Sequence, residues 1–376
     1  MKVVIISTAY PLRGGIAHYV SLLYKHLSGR HEVSVITFKR QYPKILFPGK
    51  SQEEKGDASF QLPSIQVIDT LNPITWYKAG KIAADHKPDL IIFKYWMPFF
   101  APAFGIAARV AKRKSGCKVL FICDNVLPHE RMPLDKMLTT WLFKSGDYFV
   151  VQSKSVENDL LSVVDKPKYK FVPHPVYEIF GKTIKKSEAR SKIGIRENEN
   201  VALFFGYIRK YKGLHVLLDA MKEALTKIKL KLLVVGEFYD DEESYRHQME
   251  KLELGDNVKV VGDYVPNDEV ATYFSAADVV VLPYIDATQS GIAQIAYNFN
   301  KPVITTNVGG LAEIVIDGKT GLVVKPNSSE ELSGAIVKIF SEHLSEKFAG
   351  AVSEQKKLYS WDNLINAIEE LAKTGA

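Results

Sequence analysis

Three cations lie within one short segment of the chain, GYIRKYKG at 206–213. The segment follows an apolar run at 202–205 and precedes an amphipathic, helix-like pattern. Arginine holds a phosphate group as a two-pronged donor, and lysine holds it as a point charge. We therefore predict that Arg209 and Lys212 bind a diphosphate and that Lys210 is exposed. A solvated turn is the alternative.

A glycine pair opens the first helix-like pattern. Gly14 and Gly15 follow the apolar run at 3–7 and precede the pattern at 16–27. Glycine lets a ligand approach the backbone closely, and the free N–H groups at a helix start attract anions. The segment does not match G-x-G-x-x-G, so the nicotinamide-binding fingerprint is absent. A tight turn without ligand is the alternative.

Hydroxyl groups and a glycine precede another helix-like pattern, in PYIDATQSG at 283–291. Thr288, Ser290 and Gly291 suit a helix N-terminus whose backbone amides face a phosphate. Ser290 acting only as the helix N-cap is the alternative.

A fourth segment, NVGGLAE at 307–313, repeats the order of glycines and helix-like pattern. Gly309 and Gly310 permit a positive φ, and because they have no side chains they keep the loop from projecting. Glu313 either binds a ligand hydroxyl or stabilises the helix start by its charge.

The elements that position these loops follow from the alternation of short apolar runs with helix-like patterns. Strand candidates lie at 3–7, 33–37, 90–93, 119–123, 149–152, 202–205, 230–235, 258–261, 279–282, 303–305 and 322–324. Helical patterns lie between most of them, for example at 17–27 and 215–225. This order predicts parallel sheets covered on both faces. The expected fold class is α/β, with two Rossmann-like doubly wound domains facing across a cleft.

A polar stretch at 181–200, which includes KKSEARSK and RENEN, separates the two strand-rich halves. We place the domains at 1–180 and 181–357. The remaining segment, 358–376, is predicted to form a helix that packs back on the N-terminal domain. Ligands of doubly wound domains bind outside the carboxyl ends of the strands, where the four loops lie.

The composition excludes several classes of protein. The chain has 376 residues, of which 46% are hydrophobic and 24% charged, as in soluble globular proteins. Its two cysteines, Cys117 and Cys123, cannot build a disulfide framework, and no CxxC or His/Cys cluster predicts a metal site. The nearly uncharged stretch at 96–108 is too short to span a bilayer. Without an evident signal peptide, we expect a cytoplasmic protein.

The net charge of +6 is unevenly distributed. Residues 1–180 carry 25 Lys and Arg against 15 Asp and Glu, a balance of +10, and the rest carries 24 against 28, a balance of −4. A basic half indicates an anionic partner, such as phosphate, a polyanion or a membrane surface. Ordinary solvated lysines are the alternative. Nucleic acid is not expected, because no nucleic-acid-binding motif accompanies the charge.

Taken in order, these segments resemble the GT-B glycosyltransferases of the retaining family-4 type, also called group 1. The resemblance rests on the glycine pair near the N-terminus and on the phosphate loop that ends in Lys212-Gly213. It continues with ADVVVLP at 277–283, KPVITTNVGGLAE at 301–313, DGKTGL at 317–322 and the Ser-Trp pair at 360–361.

The resemblance implies that the C-terminal domain binds a nucleotide-sugar donor and that the N-terminal domain binds the acceptor. It also implies that the anomeric configuration is kept and that no metal or other cofactor is needed. Arg209, Lys212 and the amides near Ser290 and Gly291 would stabilise the leaving diphosphate. Backbone groups near Val265 would recognise the base, whose identity is left open.

The chain departs from the family in two respects. Tyr207 occupies the second position of the phosphate loop, where the family often has an arginine, and Arg209 is the candidate to substitute for it.

The other departure is a missing pair of glutamates. The family commonly has two glutamates eight positions apart, which here correspond to Ala287 and Ile295. Gln289 and Gln294 are the nearby candidates to replace their contacts with the donor.

In the N-terminal half, CDNVLPHE at 123–130 follows a predicted strand. The family often places a histidine or an acid there, facing the donor sugar. Asp124 and His129 are therefore the candidate catalytic residues of this half, positioning a hydroxyl of the sugar or the acceptor. A purely structural role is the alternative for both.

The resemblance thus implies a hexosyltransferase that acts on a glycan or a lipid-linked acceptor in cell-surface polysaccharide or glycolipid synthesis. A catalytically silent nucleotide-sugar-binding subunit and a sugar-nucleotide 2-epimerase are the alternatives. Peripheral contact with the inner face of a membrane through the basic N-terminal domain is left open. The stretch at 95–113 begins aromatic and ends basic, which fits either such a contact or a buried helix with a basic end.

Overall fold

The computed structural model describes residues 1–12, 14–43, 52, 61–128, 132–239, 241–287 and 290–374. Contacts within the chain divide it into two compact units. Unit 1 comprises Met1–Pro175 together with Tyr359–Ala376, and unit 2 comprises Val176–Leu358.

Unit 1 contains one parallel sheet of seven strands, in the order β3-β2-β1-β4-β5-β6-β7. The strands are β1 (Lys2–Ile6), β2 (Glu32–Arg40), β3 (Ser64–Asp69), β4 (Leu90–Tyr95), β5 (Lys118–Cys123), β6 (Tyr148–Val151) and β7 (Tyr169–Phe171). The first helices are α1 (Gly15–Ser28), α2 (Pro73–Asp85), α3 (Ala101–Ser115), α4 (Asp135–Phe143) and α5 (Lys154–Val163). The central strands are apolar runs, and β4 is buried along its whole length. β1 pairs with β2 on one side and with β4 on the other, so the chain order of the strands runs outward in both directions from β1. The loops that follow β1 and β4 therefore lie next to each other at the carboxyl edge of the sheet.

Unit 2 contains a second parallel sheet, of six strands in the order β10-β9-β8-β11-β12-β13. The strands are β8 (Val201–Phe205), β9 (Lys231–Val235), β10 (Val258–Val261), β11 (Val279–Leu282), β12 (Val303–Thr306) and β13 (Gly321–Val324). The helices are α6 (Lys186–Lys192), α7 (Leu214–Leu225), α8 (Glu242–Lys251), α9 (Val270–Ala276), α10 (Gly291–Asn298), α11 (Leu311–Ile314), α12 (Ser329–Ser341) and α13 (Leu344–Gln355). Here the order reverses at β8, which pairs with β9 and β11. The loops after β8 and β11 are therefore neighbours.

The two parallel sheets with flanking helices confirm the predicted α/β class. Each of the eleven predicted strands overlaps an observed strand, and the structure adds β3 and β7 at the edges of the first sheet. Within the described ranges, no helix is both long enough and apolar enough to cross a bilayer.

The last helix, α14 (Trp361–Lys373), belongs to unit 1 and packs against α1. Trp361 is buried; its ring stacks on His26 at 5.4 Å and meets Tyr19 at 5.0 Å between ring centroids. Arg30 donates a hydrogen bond of 2.6 Å to the carboxylate of Asp362. The final helix of the chain thus covers apolar side chains of α1 in unit 1.

Candidate functional site

The cationic loop at 206–213 joins β8 to α7 through two glycines with positive φ. Gly206 has a φ of +98° and Gly213 a φ of +72°. A Cβ on Gly213 would lie 1.9 Å from the carbonyl oxygen of Pro283, so only glycine fits beside the neighbouring loop. The loop after β8 is therefore held directly against the loop after β11.

Lys212 is the buried cation of this loop. Its exposed fraction is 8%, and among the described residues no carboxylate lies within ion-pair distance of its Nζ. The ring centroid of Tyr284 lies 5.7 Å from the ammonium. Burial, and secondarily the positive charge of Arg209, lower the pKa of Lys212 from 10.5 to about 7. An anion bound here would supply the missing countercharge.

The other two cations of the loop differ in their surroundings. Arg209 is half-buried, and its guanidinium carbon lies 5.0 Å from the ring centroid of Tyr239. Tyr239 in turn packs against Tyr207 at 4.5 Å. Lys210 is exposed, as predicted. The aromatic contact orients Arg209 while its donors remain available to a ligand.

The loop after β11 leads into α10, whose first turn contains no acidic side chain. Ser290 occupies the N-cap position, but its side chain makes no capping hydrogen bond. Its hydroxyl instead lies 3.3 Å from that of Tyr284. A Cβ on Gly291 would lie 3.2 Å from the ring of Tyr177, so this aromatic ring borders the helix start. The partly positive N-terminus of α10 suits an anion.

These two loops converge beside Gly206. A Cβ placed on this glycine would lie 3.2 Å from the Nζ of Lys212 and 3.1 Å from the Cδ1 of Ile292, in the first turn of α10. The backbone N–H of Ile285 donates a hydrogen bond of 2.7 Å to the carbonyl oxygen of Tyr211, which joins the two loops again. A buried ammonium and a helix N-terminus thus border the same place in unit 2.

The structure places Gln294 on the next part of α10. The side chain is fully buried, and neither its amide oxygen nor its amide nitrogen has a hydrogen-bond partner among the described residues. Ala287 and Ile295, the positions of the family glutamates, are buried as well. Gln289 and Thr288 lie outside the described residues. Two orphaned polar atoms at full burial are costly unless a ligand satisfies them.

Two further predicted donor residues lie in other loops of unit 2. Glu313 is exposed on the four-residue helix α11. Of the glycines before it, Gly309 has a positive φ of 43°, whereas Gly310 is right-handed, with a φ of −77°. Val265 is buried in the loop after β10, near Asn267, whose buried side-chain nitrogen has no partner within the described ranges.

In unit 1, Gly14 is the N-cap of α1 and has a φ of +113°, which favours glycine. A Cβ on it would meet nothing within 4 Å, so the backbone conformation rather than crowding requires glycine. Gly15 begins the helix. The hydroxyl of Thr8, soon after β1, is buried without a hydrogen-bond partner in the described part of the chain.

Asp124 follows β5 directly and belongs to a polar cluster that the sequence did not reveal. Lys94, in β4, donates hydrogen bonds of 2.5 Å to the Oδ1 of Asp124 and 2.9 Å to the Oε1 of Gln152. Tyr19 accepts a hydrogen bond of 3.1 Å from the amide of Gln152. His129, the other predicted residue of this half, lies outside the described residues. Among those described, no three His, Cys, Asp or Glu side chains are grouped closely enough to hold a metal ion.

Comparison with known protein families decides the class of this chain. A model described as glycosyl transferases group 1 matches residues 185–358, and a model of glycosyltransferase family 4 matches residues 13–177. The chain is a glycosyltransferase of these families. Both halves of the predicted resemblance are thereby confirmed.

Several glycosyltransferases resemble the whole chain or half of it. An uncharacterized glycosyltransferase of Methanocaldococcus jannaschii is 25% identical over 97% of this chain and 96% of its own length. A lipopolysaccharide 1,2-N-acetylglucosaminetransferase of Salmonella typhimurium is 29% identical over 49% of this chain and 51% of its own length.

Solved structures share the fold over the full length. Sucrose-phosphate synthase from Thermosynechococcus elongatus superposes with a TM-score of 0.76 at 20% identity, covering 100% of this chain and 99% of the other. The Anabaena protein HepE in complex with UDP-glucose has a TM-score of 0.75 at 18% identity, covering 99% of this chain and 98% of the other. At this identity the likeness establishes the GT-B fold alone.

Proposed function

We propose that this glycosyltransferase is a retaining, metal-independent enzyme. It transfers a sugar from a nucleotide-sugar donor to a glycan or lipid-linked acceptor in cell-surface polysaccharide or glycolipid synthesis. Unit 2 binds the donor and unit 1 binds the acceptor.

The observation that carries this proposal is the buried ammonium of Lys212, which has no carboxylate partner in the described part of the chain and lies beside the first turn of α10. Burying a charge without a partner costs several kcal/mol, so a site of this kind is built for an anionic ligand. The diphosphate of a nucleotide sugar supplies that anion. Arg209, Lys212 and the amides at Ser290 and Gly291 then stabilise the charge that develops on the leaving diphosphate, which is the role a metal ion has in other transferases.

The remaining donor contacts follow from the positions of the predicted residues. The loop of Val265 and Asn267 is proposed to bind the base. The orphaned amide of Gln294 can both donate to and accept from a ribose or sugar hydroxyl. The other proposed donor contacts are Gly14, Gly15, Gln289 and Glu313. Structures of the Anabaena relative contain UDP or UDP-glucose, so a uridine donor is the first to test.

Asp124 and His129 are proposed to position a hydroxyl of the donor sugar or the acceptor in unit 1. The acceptor class is inferred from relatives named as lipopolysaccharide and D-inositol 3-phosphate glycosyltransferases. Both names describe hydroxyl-bearing, anionic acceptors, which suit the basic half of the chain.

We also propose peripheral contact of unit 1 with the inner face of an anionic membrane. α3 is mainly a buried helix with a basic last turn, and both α2 and α4 pack on it. The two outer helices expose apolar side chains, among them Ile74 (77% exposed) on α2 and Met137 (59%) on α4. Exposed apolar groups together with lysines are typical of surfaces that bind anionic bilayers.

Thermal unfolding in the presence of UDP, GDP, ADP, CMP and dTDP tests the donor site. A nucleotide at 100 times its Kd adds about 2.7 kcal/mol of stability, so one diphosphate should raise the unfolding midpoint measurably. Lys212→Met replaces the ammonium with an uncharged, unbranched side chain that is one atom shorter, and it should greatly reduce that shift. Lys210 is an exposed cation of the same loop, so Lys210→Met is the matched control. Its unfolding midpoint should rise with the nucleotide as much as that of the wild type. An undiminished shift in Lys212→Met would contradict the proposed diphosphate site.

A catalytically silent donor-binding subunit is the second candidate function. It is favoured by the apolar residues Ala287 and Ile295 at the glutamate positions of the family. Turnover separates the two functions. An enzyme transfers its sugar or slowly hydrolyses the donor, whereas a silent subunit gives the thermal shift without either reaction.

A further inference from the structure

A buried lysine in unit 1 has no role in the function proposed so far. Lys94 lies in β4 with 0% of its surface exposed. Its Nζ donates to Asp124 and to Gln152, and it lies 3.6 Å from the ring centroid of Tyr19. The three N–H groups of the ammonium thus have three partners on three different elements, since Asp124 follows β5, Gln152 follows β6 and Tyr19 lies on α1.

The charges around Lys94 leave Asp124 as its one countercharge within the described ranges. The other titratable groups that face the pair are Tyr19, Cys123 and His174. Burial raises the pKa of Cys123, and burial together with the charge of Lys94 lowers the pKa of His174 to about 4, so both are neutral at pH 7. Burial lowers the pKa of Lys94, whereas the charge of Asp124 and its hydrogen bond raise it, so Asp124 is the group that favours the ammonium form of Lys94.

The carboxylate of Asp124 is held on one side only. Its Oδ1 accepts the hydrogen bond from Lys94, whereas its Oδ2 accepts none from the described residues. The Asp124 side chain is 16% exposed, so it is not sealed in the core. The acceptor capacity of Oδ2 is thus left for a group outside the cluster.

We propose that Lys94 is a positioning residue, which holds the charged carboxylate of Asp124 in one orientation so that Oδ2 accepts a hydrogen bond from a sugar or acceptor hydroxyl. Gln152 and Tyr19 complete the support by fixing the ammonium. A buried ion pair is an expensive way to stabilise a fold, because apolar residues of the same volume do so at least as well. An ion pair beside the carboxyl ends of the strands is explained if its carboxylate must be held in place as a hydrogen-bond acceptor. This inference rests on the role proposed for Asp124.

Crystal structures of the wild type and of Lys94→Met give a measurement that does not depend on activity. Without the ammonium, the Asp124 carboxylate should move by more than about 1 Å toward solvent, a displacement large enough to cost a catalytic group about 100-fold in rate. An Asp124 side chain that keeps its wild-type position in Lys94→Met would overturn the proposal.

Steady-state kinetics supply the second measurement, with the sugar nucleotide that the wild type turns over fastest. Lys94→Met and Asp124→Asn should each lower kcat about 100-fold, with a change of less than about threefold in donor KM. The double variant should be no slower than Asp124→Asn, because the two residues act as one unit. A further loss of about tenfold or more in the double variant would show that Lys94 acts independently of Asp124.

Lys112→Met is the matched control. Lys112 donates a hydrogen bond of 2.8 Å to Asp147 in the same unit, where Asp147 precedes β6 instead of following a strand. This variant should lose some stability and keep the kcat of the wild type. The double variant replaces Lys94→Met if the latter fails to fold, because the double variant leaves no unpaired carboxylate. The kcat of the double variant relative to that of Asp124→Asn then tests whether Lys94 acts through Asp124. If the wild type turns over no donor, the proposed function fails, and the position of Asp124 still decides the role of Lys94.

Discussion

Each unit buries a lysine at the carboxyl ends of its central strands, and the two lysines differ in what compensates their charge. Lys94 in unit 1 is paired with Asp124, bonded to Gln152 and packed on an aromatic ring. Lys212 in unit 2 has an aromatic ring at 5.7 Å and a second cation, Arg209, as its main electrostatic neighbour. A cation that the protein neutralises itself serves an internal purpose. A buried cation that the protein leaves uncompensated indicates a ligand.

The largest expected effect concerns turnover at the uncompensated lysine. Lys212→Met should lower kcat by about 100-fold to 1,000-fold, because a preorganised group that stabilises the leaving diphosphate is lost. The rate of sugar transfer, or of donor hydrolysis, measures this. Lys210→Met should stay within about twofold of the wild type. A normal kcat in Lys212→Met would contradict the inference that Lys212, unlike Lys94, serves a bound ligand.

The next effect separates the two lysines by stability. Lys94→Met should lower the free energy of unfolding by about 3 kcal/mol, because it leaves the Asp124 carboxylate largely buried without a partner. Urea denaturation of the unliganded protein measures the change.

The same substitution at Lys212 should have the opposite sign. Lys212→Met removes an uncompensated buried charge, so the unliganded protein should gain about 1 kcal/mol or more. Equal destabilisation of Lys94→Met and Lys212→Met would mean that both ammonium groups have internal partners, and the comparison would fail.

A smaller effect is expected from pH. Free Lys212, with its pKa lowered to about 7, is mostly neutral at pH 8, and a bound diphosphate favours its charged form. Affinity for the diphosphate should therefore fall by up to about tenfold per pH unit above pH 7. Titration calorimetry in buffers of different ionisation enthalpy should show uptake of up to one proton per nucleotide at pH 8. The nucleotide binding that remains in Lys212→Met should proceed without this proton uptake.

The stability of the unliganded wild type should change in the other direction. The folded pKa of Lys212 lies below the unfolded value of 10.5, so between pH 7 and pH 10.5 the unfolded chain binds more protons at this group. The contribution of Lys212 to stability therefore improves as pH rises through this window. The difference in unfolding free energy between Lys212→Met and the wild type should shrink from pH 7 to pH 10.

The smallest expected effect concerns the surfaces of the two units. Ile74→Glu on α2 should weaken cosedimentation with vesicles that contain phosphatidylglycerol by several-fold, because it removes apolar area and adds a repelled charge. Leu358→Glu, an exposed apolar residue of unit 2, is the matched control and should bind like the wild type. Equal binding by all three proteins, or none by the wild type, would count against a membrane surface on unit 1.

Local patterns were sufficient for the central strands but not for the edges of the first sheet. β3 (Ser64–Asp69) has only two buried residues in succession, and β7 (Tyr169–Phe171) is three residues long with none. Edge strands pack on one neighbour and need little apolar surface, so their periodicity is weak. Their assignment depends on pairing with β2 and β6, which lie far away in sequence.

The phosphate loop could be predicted from sequence because its cations, glycines and flanking strand are contiguous. The Lys94 cluster could not. The predicted strand ends at Phe93, because a lysine usually marks the exposed end of an apolar run, whereas β4 continues to Tyr95 with Lys94 fully buried. Its partner Asp124 is 30 residues away, and only the pairing of β4 with β5 brings the two together.

The position of α14 has a consequence for synthesis of the chain. Unit 2 ends at Leu358, whereas unit 1 includes Tyr359–Ala376, so the ribosome releases every residue of unit 2 before unit 1 is complete. Until Trp361 emerges, the rings of Tyr19 and His26 lack the neighbour that covers them. The nascent chain therefore passes through a stage in which the half made first is still unfinished and presents apolar surface, which is the feature that chaperones bind.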